Sequence, residues 1–289
     1  MLAIYKKELR IYFHTMIGFA FIAFIVFLVS MFFCLYNLTA GNASFSTSLS
    51  GVSFVFFIVM PILTMRIMAE EKRQKTDQML YTAPVRITGI VLGKFFAMVT
   101  ILLIPAILFL VYPLILSLYG KSGRSMTADY IAILGFVLFG AMYLAIGLFI
   151  STLTESQVIA AVLTFVLLLF TYFIELILIQ IPGTAAASLV GFSAFVILAG
   201  MILYYLTKHV VAAAVAGCLL EIILVVLYFV KRTWFEGGIT TVLNVLNCSG
   251  RLKNFYAGVL DLNEILYFIS GCAIFIFLTV QAIQKKRYS

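Results

Sequence analysis

The chain has 289 residues, 64% of them hydrophobic and only 10% charged, with a mean hydropathy of +1.19 and a formal net charge of +8. Soluble domains are about 45–50% apolar and about 25% charged, so this composition excludes a water-soluble enzyme, a disordered tail and a free nucleic-acid-binding protein. Apolar runs recur along the whole chain, which excludes a single anchor, and they are about twice the length of the alternating segments of an outer-membrane barrel. The fold class expected is an all-α integral membrane protein.

The first fourteen residues mix Lys6, Lys7, Glu8 and Arg10 with Leu2, Ile4, Leu9, Ile11 and Phe13. The apolar run that follows is too long for a cleavable signal. Residues 1–14 are therefore expected to form an amphipathic helix on the cytoplasmic membrane surface, with a basic flank anchoring the first span as the alternative. A crossing helix needs about 20 apolar residues. Such runs extend roughly over 15–36, 52–68, 95–119, 130–150, 158–181, 185–206, 210–230 and 265–283, which predicts eight spans in one transmembrane domain, 15–289. The sixth and seventh are separated only by Thr207, Lys208 and His209, a link that suits a tight helical hairpin. With both termini cytoplasmic, thirteen Lys and Arg residues fall inside and six outside. Positive charge collects in cytoplasmic loops, so that orientation is expected, in a bacterial or archaeal cytoplasmic membrane.

Four cysteines, at positions 34, 218, 248 and 272, have neither zinc-ligand nor disulfide-framework spacing. Three Asn-x-Ser/Thr triplets, at Asn37, Asn42 and Asn247, are read as chance. Gly120-Lys121-Ser122 resembles the end of a phosphate-binding loop, but Ile115 stands where that loop needs its first Gly. The chain is expected to have no ATP site, cofactor or metal site of its own.

Polar residues concentrate between the second and third spans. There Arg66, Glu70, Glu71, Lys72, Arg73, Lys75 and Asp77 precede Met79, Leu80 and Tyr81, and the stretch stops near Pro84, which disfavours helix in the residue before it. The second span is expected to continue into the cytoplasm as a helix, with Glu71 and Lys75 spaced i, i+4 in the stabilising order. From the residues alone this is either a solvated connector or a helical turn that docks a partner.

The run Ala69-Glu70-Glu71-Lys72-Arg73…Thr76…Met79-Leu80…Thr82-Ala83-Pro84-Val85…Ile90-Val91-Leu92-Gly93-Lys94 resembles the segment after the second span in the ABC type-2 transporter permease family. It departs from that pattern at Lys75, where the family usually has Gly, and at Tyr81. The stretch from Phe255-Tyr256-Ala257-Gly258 through Asp261-Leu262 to Phe277-Leu278-Thr279-Val280 resembles the ending of that family's gliding-motility-associated branch. The resemblance covers about residues 1–181 and 231–289. Since the family usually has six spans, 185–230 reads as an inserted hairpin.

The resemblance implies a permease of an ATP-driven transporter, with export as the expected direction, in which two permease chains (copies or related chains) bind two copies of a cytoplasmic ABC ATPase that holds ATP and Mg. The coupling segment would be 69–84, with Glu70, Glu71, Arg73, Thr76, Leu80, Tyr81, Thr82 and Pro84 against the ATPase. A second contact would come from Thr154 and Glu155 in the loop between the fourth and fifth spans. Such contacts require polar residues on a rigid helical extension, so that ATP-driven closure moves the spans as bodies, and Glu70, Glu71, Arg73 and Glu155 suit charge-assisted hydrogen bonds.

Two carboxylates, Glu175 and Glu221, fall within expected spans. Each costs about 2.5–3.5 kcal/mol at a helix centre, so each needs a partner, a water-filled cavity or an interfacial position. They carry the alternative function, a proton- or sodium-coupled secondary transporter. That alternative should show internal repeats or paired broken helices, and no convincing repeat is present. The segment 231–264 is too polar to cross, and it reads as short amphipathic helices at the outer interface or as a docking surface for an extracytoplasmic accessory protein. Neither His14 nor His209 has the company a membrane-embedded enzyme would need.

Overall fold

The computed structural model describes residues 1–76, 86–119, 126–207 and 210–288, and these are all-helical. Thirteen α-helices are found among them: α1 (Leu2–His14), α2 (Ile17–Phe33), α3 (Phe45–Ser53), α4 (Phe56–Arg73), α5 (Ile87–Phe109), α6 (Val111–Tyr119), α7 (Met126–Leu153), α8 (Gln157–Gln180), α9 (Ala185–Thr207), α10 (Val210–Val230), α11 (Gly238–Leu246), α12 (Cys248–Tyr256) and α13 (Leu262–Tyr288). They group into two compact units, residues 1–169 with 250–289, and residues 170–249. Helix α8 runs from the first into the second.

Five of the described helical stretches are long and apolar enough to cross a membrane: Ile17–Thr39, Ile87–Leu118, Met126–Leu153, Gln157–Gln180 and Leu262–Lys285. A sixth arises if α3 and α4 form one span, for they meet at a 59° bend. The straight second span expected over 52–68 is thus broken at Phe54–Val55, with α3 adding a short arm. Within the second unit, Ala185–Ile197 and Gly217–Val230 are apolar stretches of α9 and α10.

In the first unit α1 turns into α2 at Thr15–Met16. The Thr15 N–H and hydroxyl both donate to the Ile11 carbonyl, at 2.9 and 2.8 Å, and Met16 adopts a left-handed φ of 58° that ends the helix. The residues that α1 buries are Glu8 and Tyr12, while Leu2 is 72% exposed. Ile4, Leu9, Ile11 and Phe13 are partly exposed.

Helix α7 is the centre of the unit. Phe56 of α4 meets Phe136 with ring centroids 4.3 Å apart, and Phe139 lies 4.1 Å from Tyr143 and 6.1 Å from Phe268 of α13. Between helices in lipid there is no hydrophobic drive, so small residues that permit close approach do the packing. Gly147 shows this: a Cβ there would collide with the side chain of buried Thr64 on α4.

Past α2 the helix winds on as a π-helical turn over Cys34–Thr39. Asn37 lies within that turn, donates to the carbonyls of Asn42 and Ser44 at 2.7 and 2.8 Å, and accepts from Ser48 at 2.6 Å. Its amide is consumed internally. Asp129, in the first turn of α7, is 1% exposed and accepts from the backbone N–H of Phe45 at 3.0 Å and of Ser46 at 3.2 Å. It caps the start of α3, because the first N–H groups of a helix have no intrahelical partner. At the bend, Ser53 is hydrogen-bonded to the Tyr256 hydroxyl of α12.

In the second unit α9 packs on α11. Ile239 lies against Gly191, its N–H donates to Ser188 Oγ at 3.3 Å, and the Gly237 N–H donates to the Gly183 carbonyl at 3.1 Å.

Candidate functional site

The polar tail of α4 follows directly on its apolar body, and the two halves of that tail do different things. On one side Lys72, 7% exposed, donates to the Thr152 carbonyl at the end of α7. Ser151 Oγ beside it accepts from the N–H groups of Met68 at 3.2 Å and Ala69 at 3.1 Å, and donates to the Met65 carbonyl at 3.3 Å. The ends of α4 and α7 are therefore stitched together, and the loop after α7 starts from the same place as the connector after α4. The described part of the coupling segment, residues 69–76, and the loop that carries Thr154 and Glu155 share one end of the first unit.

On the other side Glu71 turns inward. Its Oε2 lies 2.7 Å from Lys94 Nζ of α5 and its Oε1 3.1 Å from Lys7 Nζ of α1. Lys94 is 1% exposed, stands 3.1 Å from Glu8 Oε1 and donates to the Ile67 carbonyl at 2.7 Å. Taking an ammonium out of water costs several kcal/mol, so a buried Lys requires this company. The i, i+4 pairing of Glu71 with Lys75 does not form: Lys75 lies beyond the helix with φ 57°. The i, i+4 pair actually made is Arg66–Glu70, in which Arg66 Nη2 donates at 2.9 Å.

Two open clefts border this end. One, of about 410 Å³, is lined by Lys7, Glu8, Tyr12, Arg66, Glu70 and Glu71 among others. Tyr12 donates to the Leu63 carbonyl at 2.8 Å, and burial, with the nearby Glu8 charge second, pushes its phenol above the usual range. The other, of about 450 Å³, has Met65, Arg66, Glu70, Arg73, Gln74 and Gln157 on its walls.

Of the residues picked from sequence, Arg73, Thr76 and Glu155 are exposed, and Glu70 and Thr154 are partly so. Thr76 Oγ1 donates to the Glu71 carbonyl at 3.3 Å, and Thr154 Oγ1 to the Ser156 carbonyl at 3.4 Å. Leu80, Tyr81, Thr82 and Pro84 lie outside the described residues. Glu175 and Glu221 belong to the second unit, both half-buried. Among the described residues no group of three or more His, Cys, Asp or Glu is arranged to hold a metal ion.

Lys7, Glu8 and Lys94 were missed as site residues, as were Ser151 and Thr152. Lys94 had a signal: it follows Ile90-Val91-Leu92-Gly93 within a long apolar helix, where a charge needs a partner. Ser151 and Thr152 had none beyond being hydroxyl residues near the end of an apolar run.

A family model described as "ABC-2 family transporter protein" matches residues 35–231. No curated protein matches the chain.

Proposed function

Because the chain belongs to the ABC-2 transporter family, we propose that it is the permease subunit of an ATP-driven exporter and that a separate ATPase docks where α4 and α7 end. Membership makes it a multi-pass membrane transport component, and permeases of this family generally partner with an ABC ATPase. In the proposed complex two permease chains, identical or related, hold two ATPase copies. ATP and Mg are bound by the ATPase. Both termini are cytoplasmic, as the thirteen-to-six distribution of Lys and Arg favours. Helix α1 then lies at the inner surface. Eight crossings result from six family-like spans and the inserted hairpin 185–230. The C-terminal resemblance supports the gliding-motility-associated branch, with the outer segment 231–264 available to an accessory protein.

The observation that carries this reading is the stitch between α4 and α7. Lys72, Ser151 and Thr152 join the ends of two packed helices, so a push on the residues beyond them, Arg73 and Thr76 on one side and Leu153 and Glu155 on the other, acts on α4 and α7 together. Transmission from a docked ATPase to the spans as a rigid-body motion needs such a platform.

The test is purification of the tagged chain from its native membrane in mild detergent, with identification of co-purifying chains and an ATPase assay. A stoichiometric partner with phosphate-loop motifs is expected, reduced at least severalfold by Arg73→Glu with Glu155→Arg. A preparation without ATPase, under conditions that preserve other membrane complexes, would contradict the reading.

A further inference from the structure

We infer that Lys94 is a positioning residue that locks α1, the end of α4 and the start of α5 into one body, so that α1 travels with the coupling segment instead of sliding past it. This deepens the permease reading above and rests on it.

From α5, Lys94 reaches three groups on two other helices with one buried ammonium: Glu8 on α1 at 3.1 Å, Glu71 on α4 at 2.7 Å and the Ile67 carbonyl of α4 at 2.7 Å. It also sits just past the connector whose other side ends at Glu71, so the Lys94–Glu71 contact closes the base of that connector. Two further fastenings hold α1 against α5. Tyr5 and Thr100 hydroxyls are 2.9 Å apart, and at Gly93 an added Cβ would stand 3.1 Å from the Met1 carbonyl oxygen and 3.3 Å from the Ile4 side chain. On the α4 side, Tyr12 donates to Leu63 and Lys7 bonds Glu71. Attachment at separated heights on both neighbours opposes rotation as well as translation.

The weak member is Glu8. Its Oε1 is buried and accepts no directed hydrogen bond among the described residues, although Lys94 is within ion-pair distance. Its hold on α1 is therefore electrostatic and depends on the Lys94 charge. Removing that charge leaves buried Glu8 without its ion-pair partner and Glu71 with Lys7 alone, which loosens α1 against α4 and α5.

The experiment uses the permease–ATPase complex in liposomes of native lipid extract, with the four natural cysteines replaced by alanine. Tyr5→Cys and Thr100→Cys are joined by a short bifunctional maleimide. The locked complex is expected to hydrolyse ATP within about twofold of the unlocked one, since α1 and α5 already move together. A tenfold loss on locking would overturn the inference. Lys94→Met should lower the cross-linking yield severalfold and return ATP hydrolysis to the rate of the free ATPase. The triple variant Lys94→Met, Glu8→Gln, Glu71→Gln separates positioning from folding. It should recover thermal stability yet keep the low cross-linking yield and the uncoupled rate. Full recovery of all three readouts would overturn the inference, as would wild-type cross-linking in Lys94→Met. If no ATPase co-purifies with the unmutated chain, the permease reading fails, and the cross-linking yield still decides the fate of the Lys94 lock.

Discussion

Glu71 Oε2 lies 2.7 Å from Lys94 Nζ, joining the last turn of one helix to the second turn of the next across the base of the connector between them. The same carboxylate takes Lys7 on its outer side, at 3.1 Å, and Lys7 is 53% exposed. The two ion pairs should therefore differ in strength. Breaking a buried pair by removing one partner costs about 3–5 kcal/mol, whereas an exposed pair contributes about 0–1 kcal/mol. Thermal melting in detergent should show Lys94→Met strongly destabilised and Lys7→Ala close to wild type. Equal losses would mean that the two lysines share the burden.

Asp129 should behave as a cap. Its carboxylate serves the N–H groups of Phe45 and Ser46, and buried hydrogen bonds to charged groups contribute about 1.5–3 kcal/mol each. Asp129→Ala is expected to lower stability by about that much and to loosen α3, read as faster hydrogen exchange over 45–53. Asp129→Asn keeps an acceptor oxygen and should lose less. An unchanged exchange rate in Asp129→Ala would remove the capping account.

The buried phenols of Tyr12 and Tyr256 give a pH-dependent signature. Burial raises both, with Glu8 adding to the effect at Tyr12 and the Ser53 hydrogen bond opposing it at Tyr256. An unfolded tyrosine ionises at about 10, so the unfolded chain releases these protons first and stability falls as pH rises above about 10. Below that the contribution is constant. Ultraviolet absorbance of phenolate between about pH 10 and 11 should be the same in wild type, Tyr12→Phe and Tyr256→Phe. A drop in signal in either variant would show that its tyrosine had been ionising.

Much of the helical plan was legible because crossing helices are long apolar runs, and the runs around α2, α5, α7, α8 and α13 correspond to helices long enough to span. The bend at Phe54–Val55 was not, since neither residue breaks the apolar run. Side-chain pairing was least legible. Glu71 was matched with Lys75 on local spacing, but Lys75 leaves the helix in a left-handed turn, and the residue that claims Glu71 comes from α5. The capping role of Asp129 was not legible, because its partners are backbone N–H groups of a distant helix, which no side-chain pattern announces. Helix α1 shows the same limit: a polar face that docks on Lys94 has the periodicity of one that faces water.

The most direct test of the account is site-specific photo-crosslinking from the intact chain in its native membrane. A photoreactive residue at Glu155, exposed beyond the α4–α7 stitch, is compared with one at Asn42, exposed past the far end of α2. The account predicts that Glu155 captures a chain bearing phosphate-loop motifs and that Asn42 does not. Capture of that chain from Asn42, or from neither position while it co-purifies, would contradict docking of the ATPase where α4 and α7 end.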